Sequence, residues 1–372
     1  MHACSRIELL DVVGSTRLME KSECVHHGSI MDVDVDRSGE FLLACSMDGV
    51  LAVYGVQHKG SSPIETLCSL TRESSGNHRQ SIYSVCWYPV DMGMFVSGSQ
   101  DMTVKVWDTS ALECVLTFEM EAEVHGTSMS PILSAQHSMV AIHGNMPNVV
   151  LGDVSSGAAA QTLSGHGGVV TSCAWSEASE WELLAGSSDG QVRLWDIRRP
   201  GARHVFNMED TMLDWEGGGS SKGHSYAQAH TARVNSCACV PKTGLYWLTS
   251  GNDGKVRLWD MKTKKNMLRH YEKRCSRTKF PRRISFSEDG QYLFHPSENM
   301  VHIFDVNTGI LVKSLESGHY GPVYCSAWNP VHEQLYTGGA DKSICVWGVP
   351  DSSQGLDEDE WSHDDGDYSV YK

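Results

Sequence analysis

Apolar and polar residues alternate in short runs along this chain, and the runs are separated by turns rich in Asp and Gly. The clearest case spans Leu183 to Arg199, reading LLAGSSDGQVRLWDIRR. Leu183-Leu184-Ala185 leads into Ser-Ser-Asp-Gly, and Val192, Leu194, Trp195 and Ile197 make up a second apolar run. Period-two alternation is what a half-buried strand requires, because successive side chains point to opposite faces. Asp-Gly between two such runs predicts a hairpin, since the turn needs a positive φ that Gly adopts without a Cβ clash. The hairpin ends in Trp195-Asp196.

The same pattern recurs seven times, with the position of that Trp taken by residues 54, 107, 152, 195, 259, 304 and 347. Four of the six intervals are 43 to 45 residues, the period of WD-repeat propeller blades. The predicted fold is therefore all-β, a seven-bladed WD-repeat β-propeller. The units start near His27, His78, His125, His166, His230 and His319, and the sixth lacks a clear His. Two long intervals predict insertions, one containing Gly60 to Gly76 and the other Glu209 to Gly223 with its flexible WEGGGSSKG run.

The recurring His, Asp and Trp have a structural reading. A Ser or Thr on the second strand and the turn Asp can join the loop His to the Trp indole N–H, satisfying every buried polar group. Blades 2, 4 and 5 carry the full sets His78/Asp101/Trp107, His166/Asp189/Trp195 and His230/Asp253/Trp259, whereas blades 3 and 6 do not and should be softer. The adjacent pair His26-His27 points to opposite faces of a strand rather than to one metal.

After Val349-Pro350 no further strand pattern follows, so the outer strand of the last blade must come from Thr16 to Val25. Ahead of it, Ser5-Arg6-Ile7-Glu8 is a capping-box pattern, Ile7, Leu10 and Val13 share one helical face, and Gly14 suits the stop. The predicted organisation is a docking helix within 1–14, a propeller over 15–350 and an acidic, disordered tail over 351–372. From Asp351 onward eight carboxylates face the single Lys372, which accounts for seven units of the formal charge of −16.

Chemistry is harder to find. Among the 12 cysteines there is no CxxC pair and no Cys/His spacing for zinc, so neither a metal nor another cofactor is expected, and a reduced compartment fits. HExxH and the phosphate-binding GxxxxGK[ST] are missing, and no GxSxG stands between a strand and a helix. The reading is non-enzymatic. The apolar runs fall short of the ~20 residues of a membrane helix, and the N-terminus has acids inside its apolar run, unlike a secretory signal. The segment from Lys262 to Arg283 concentrates ten basic residues. It could meet phosphates, an acidic protein or an import receptor, or be a solvated edge. With only Tyr271 and Phe280 interleaved, it argues against direct nucleic-acid binding.

Two stretches carry a resemblance. Leu184-Ala185-Gly186-Ser187, Asp189 and Leu194-Trp195-Asp196-Ile197-Arg198 resemble the box shared by substrate receptors of cullin-4 RING ubiquitin ligases. The run HRQSIYSVCWYPVDMGMFVSGSQDMTVKVWDT (His78 to Thr109) and FEMEAEVHGTSMSPI (Phe118 to Ile132) are similar to the Cockayne syndrome protein A family, over essentially the whole propeller. That resemblance implies a nuclear substrate receptor in transcription-coupled nucleotide excision repair. It implies as partners the cullin-4 adaptor (the large subunit of damaged-DNA-binding protein), through it cullin-4 and a RING subunit, and also RNA polymerase II and the Cockayne syndrome B remodeller. By position it makes Ile7, Leu10, Val13, Trp195, Asp196 and Arg198 adaptor contacts, although the helical lead here is shorter than the family's. A non-ligase WD-repeat scaffold in a chromatin or RNA-processing complex is the alternative; it leaves Arg198 without a role.

Overall fold

The computed structural model describes residues 17–22, 25–56, 64–90, 92–132, 137–211, 227–242, 244–271 and 282–348. These form seven antiparallel sheets, six with four strands and one, in blade 5, with three. In every blade but the seventh the sheet is a meander of consecutive strands, and the first strand lines a central channel, as in Ile30–Val35 of blade 1 or Val124–Met129 of blade 3. The faces differ in their turns. Those joining first to second and third to fourth strands lie on one face, called the bottom; those joining second to third strands, and one blade to the next, lie on the top.

Blades hold together through apolar residues between successive sheets. Between blades 1 and 2, Leu43 and Val53 pack with Trp87, Phe95 and Trp107, and the Phe95 and Trp107 rings stack at 5.9 Å. Removing a buried ring of this size costs about 3–5 kcal/mol. The register carries a repeated irregularity. The inner strands of blades 1, 2, 3, 4, 5 and 7 each slip by one residue directly after their first position. The residues at the slip are Met31, Tyr83, His125, Thr171, Asn235 and Tyr324; a bulge of this kind re-aims a side chain.

The ring closes as the sequence predicts. Arg17–Ser22 pairs antiparallel with Ile344–Gly348 as the outer strand of blade 7, with Arg17 opposite Gly348. Gly348 ends a third strand, so the chain joins the ring from the bottom face. The first expected insertion is largely structure instead: Ile64–Leu70 is the outer strand of blade 1. Most of the second, and the segments holding Ile7, Leu10, Val13 and the acidic tail, lie outside the described residues.

The polar sets fall into two kinds. In blade 2, His78 Nδ1 donates to Asp101 at 3.0 Å, leaving Nε2 to accept from Ser97 at 2.7 Å, while Trp107 Nε1 donates to the same Ser97 Oγ at 2.8 Å. Blade 5 repeats this with His230, Asp253, Thr249 and Trp259. Blade 7, not among the expected sets, repeats it with His319, Asp341, Thr337 and Trp347. Burial alone would raise the Asp101 carboxyl, but hydrogen bonds from His78 and Thr103 outweigh it and hold it well below the usual range.

Blade 4 departs from expectation. Its second strand, Glu182–Ser187, carries Ala185 where Ser97 stands in blade 2, so no hydroxyl joins His166 to Trp195. Both His166 ring nitrogens and Trp195 Nε1 lack a partner among the described residues. Asp189 instead accepts from the amides of Gly167 and Gln191 at the turn. In blade 1 the buried histidine is His26, bonded to Ser46 at 2.7 Å; His27 is exposed, and the pair sits in a loop rather than a strand.

Candidate protein-docking site on the bottom face

Arg198 follows the third strand of blade 4, three residues after Trp195, and turns back onto Asp196. Its Nε and Nη2 donate to the two Asp196 oxygens, each at 2.9 Å, and its guanidinium lies 5.4 Å from the Trp181 ring centroid. The fork geometry matches a carboxylate in a way that a Lys ammonium cannot reproduce. The Arg198 hydrogen bond is the main reason the Asp196 carboxyl is drawn down to about 2. Asp196 is buried at 3% side-chain exposure, while Arg198 is 53% exposed. One carboxylate, fixed in the blade, therefore presents a guanidinium to solvent.

Trp195 and Asp196 were both expected to touch a partner. Trp195 is 1% exposed and Asp196 2%, so neither has surface to offer. Asp196 holds Arg198 in place, and Arg198 is the accessible member, with Arg199 beside it at 76% side-chain exposure.

Around Arg198 the bottom face continues across several blades. Trp181 lies beside His137 of blade 3, with ring centroids 5.2 Å apart and planes tilted by 58°. His137, Met139 and Ile132 then border a groove shared with Tyr88, Pro89 and Val90 of blade 2. Val90 and Met92 are 49% and 41% exposed, and Met92 Sδ accepts from Ser38 of blade 1. Gly39 next to it packs against Val331 of blade 7, itself 57% exposed. An apolar band thus runs from blade 4 to blade 7, where Arg17 brings the chain into the ring. Apolar residues gathered on one face mark protein contact better than scattered ones do. Sequence reasoning quoted Val90 and Met92 within WYPVDMGMF but gave them no role; two large apolar residues in a Pro- and Gly-bounded turn were the available signal.

The basic segment resolves differently. Arg282 is buried with Nη1 donating to the Pro296 carbonyl at 2.6 Å. Arg283 lies in the channel and bridges to Asp32 and Asp34. Neither belongs to a solvated basic edge, and residues 272–281 lie outside the described set. Among the described residues, no group of three or more His, Cys, Asp or Glu side chains is placed to hold a metal.

Comparison with known proteins agrees with this architecture. The family described as WD domain, G-beta repeat matches residues 20–54, 68–108, 157–196, 222–260 and 309–348. Each segment ends on the third strand of a blade, and the first begins within the closing strand. The segments bypass the third strands of blades 3 and 6, which lack Trp-Asp. WD repeat-containing protein ATCSA-1 of Arabidopsis thaliana is 31% identical, over 91% of this chain and 89% of its own length. The chain belongs to the Cockayne syndrome protein A family of WD-repeat proteins. Radiation-sensitive protein 28 of Saccharomyces cerevisiae is 25% identical over 55% of this chain and 43% of its own length. THO complex subunit 3 of Arabidopsis thaliana is 28% identical, covering 76% of this chain and 92% of itself. As a member of the Cockayne syndrome protein A family, the chain is a non-catalytic WD-repeat scaffold that works through protein contacts.

Proposed function

We propose that this protein is the substrate receptor of a cullin-4 RING ubiquitin ligase acting in the nucleus, in transcription-coupled nucleotide excision repair. The observation that carries the proposal is the pinned Arg198, standing on the face by which the N-terminal segment joins the ring. A partner gripping both the 1–14 segment, through Ile7, Leu10 and Val13, and the bottom of the propeller would meet the face at which Arg17 enters the ring. That partner is the cullin-4 adaptor. Arg198 and the apolar band supply the propeller's share of the interface, and a few well-placed residues suffice to carry most of its energy. The rest of the surface is left for RNA polymerase II, the Cockayne syndrome B remodeller and ubiquitination targets.

The test is affinity purification of tagged wild type, Arg198→Glu and a deletion of residues 1–14 from nuclear extract, before and after ultraviolet damage. Recovery of the adaptor with wild type alone, and of RNA polymerase II after damage, supports the reading. A folded wild type that brings down no ligase component overturns it. The similarity to THO complex subunit 3 would then favour a scaffold of another nuclear assembly.

A further inference from the structure

Blade 3 lacks a ring that every other blade buries. At the place of Trp107 the others carry Tyr54, Trp195, Trp259, Phe304 and Trp347, all at most 2% exposed, whereas blade 3 has Gly152. The polar frame of that ring is gone as well. Val140 faces Gly152 across the sheet as Phe95 faces Trp107, so Ile142 stands where Ser97 holds the indole N–H in blade 2. Met120 precedes the inner strand Val124–Met129 by four residues, the spacing of His78 before Ile82–Trp87. Phe118 of blade 2 leans toward the gap, its Cε1 3.1 Å from where a Gly152 Cβ would lie. It does not fill the space. A cavity of about 190 Å³ remains, with Phe118, Met120, Ile142, Val150, Gly152 and Ala159 in its lining.

The cavity opens on the outside of the ring. Ala159 is exposed, and Met120 and Val150 are partly so. Ala159 pairs with Gly152, and directly paired residues share a sheet face, so both are turned toward blade 2. Their sheet ends in the strand Ala158–Leu163, whose outer edge pairs with no strand among the described residues. Its sequence, AAAQTL, has no charge. The outer strands of blades 1, 2, 4, 6 and 7 each carry at least one, at Glu65, Glu113, Arg203, Lys313 and Arg17. Charged side chains are one way an edge turns other strands away, and this edge has none. A residue opposite Ala159 on an added strand would reach the cavity over a single methyl group.

Charge narrows the occupant. From Val106 to Val192 the chain has ten carboxylates and no Lys or Arg, in a protein with 30 such bases. Glu119, which lines the cavity, and Glu121 are exposed, and Asp153 follows Gly152 with its carboxyl held low by hydrogen bonds from Ser156 and Ser155. Lys105 of blade 2 pairs with Thr117, so it leaves its sheet on the face away from Phe118. We propose that the groove between blades 2 and 3 receives an extended peptide of a partner protein, added as a strand along Ala158–Leu163, with an aromatic side chain in the cavity and Lys or Arg on either side. Main-chain bonds to the edge supply affinity, and the ring supplies selection. An acidic strand would meet Glu119, Glu121 and Asp153. The site is independent of the adaptor-docking reading, since it shares no residue with Arg198 or the apolar band.

The test follows methyl groups of the full-length chain, labelled at Met and Ile, by NMR. Acetyl-Lys-Val-Trp-Val-Lys-amide should shift the Met120 and Ile142 methyl resonances saturably. Replacing its Trp with Ala, or both Lys with Glu, should weaken binding at least about tenfold. Free indole has no strand to add and should also bind at least about tenfold more weakly than the peptide. Ala159→Lys sets a charge at the edge and over the cavity. It should weaken the Trp peptide about tenfold while the remaining methyl signals keep their folded positions. The proposal is overturned if neither resonance shifts saturably, or if Ala159→Lys binds the Trp peptide as wild type does. It is equally overturned if the Ala peptide, the Glu peptide or indole binds as tightly as the Trp peptide.

Discussion

Arg283 Nη2 donates to Asp34 Oδ1 at 2.5 Å, joining blade 6 to blade 1 across the blade that closes the ring. Its Nη1 reaches Asp32 at 3.2 Å and the Val85 carbonyl of blade 2 at 3.1 Å. Its backbone pairs with Tyr324 and Ser326 of blade 7. One residue therefore touches four consecutive blades around the closing seam. Burial raises the Asp32 and Asp34 carboxyls despite the guanidinium, while burial opposes and the two acids favour the charged Arg283. Breaking such a group by removing one partner is far worse than removing all of it.

Arg283→Leu should accordingly lower stability by about 3–5 kcal/mol in urea unfolding. Adding Asp32→Asn and Asp34→Asn should recover most of the loss. A single variant within about 1 kcal/mol of wild type would show that the seam does not depend on this bridge.

Blade 4 invites a gain. Ala185→Ser would place a hydroxyl between His166 Nε2 and Trp195 Nε1, as Ser97 does between His78 and Trp107. The expected effect is a stabilisation of about 1 kcal/mol with slower exchange of the Trp195 indole proton. Ser97→Ala is the mirror experiment and should cost about 1–3 kcal/mol. Unchanged indole exchange in Ala185→Ser would mean that the new hydroxyl points elsewhere.

Stability should also fall in acid, ahead of the carboxylates. Burial holds His26 and His166 down at about 4 and His143 and His295 at about 3. The unfolded chain binds protons from about pH 6.5 downward while these rings stay neutral in the fold. Their contribution is thus fully present above pH 6.5 and is lost as pH drops toward 4 and then 3. Each ring that remains neutral adds a slope of about 1.4 kcal/mol per pH unit over its window. Urea midpoints measured between pH 7.5 and 4.5 should decline steadily, and less steeply in His143→Gln than in wild type.

Arg198→Lys separates charge from geometry at the docking face. It keeps the positive charge but loses the two-pronged bond to Asp196 and the guanidinium contact with the Trp181 ring. Adaptor affinity should drop about tenfold while the melting temperature stays within error, because the side chain is half exposed. Equal affinity in a direct binding assay would reduce Arg198 to a point charge.

Blade number, strand order and the closing strand were legible in the sequence because Trp-Asp spacing and turn Asp-Gly pairs are local signals. The missing fourth strand at Val349-Pro350 even located its replacement near Arg17. What escaped were partners set by distant chain. Ala185 sat in plain view, but matching His166, Asp189 and Trp195 by type passed over the hydroxyl they need. Blade 7's set escaped because Gly348 replaces the Asp of Trp-Asp, although Asp341 and Thr337 were there. Arg282 and Arg283 looked like the end of a basic run, since nothing nearby shows that Asp32, some 250 residues earlier, waits opposite. Alternation puts Trp195 and Asp196 on opposite faces, so the burial of both needed the neighbouring blades to be seen.

The closing strand also has a meaning in time. Arg17–Ser22 is made first and its partner Ile344–Gly348 is the last described strand to be made. During synthesis the opening strand has no edge to pair with until nearly the whole described chain has emerged, and six blades must wait as an open arc with both terminal sheets exposed. Long-range pairings of this kind are slow and leave edges available to other chains. Assistance during synthesis is therefore expected to matter more for this ring than its finished stability suggests. A stop placed before residue 344 should leave an aggregating product, while a cut in the finished ring should be tolerated.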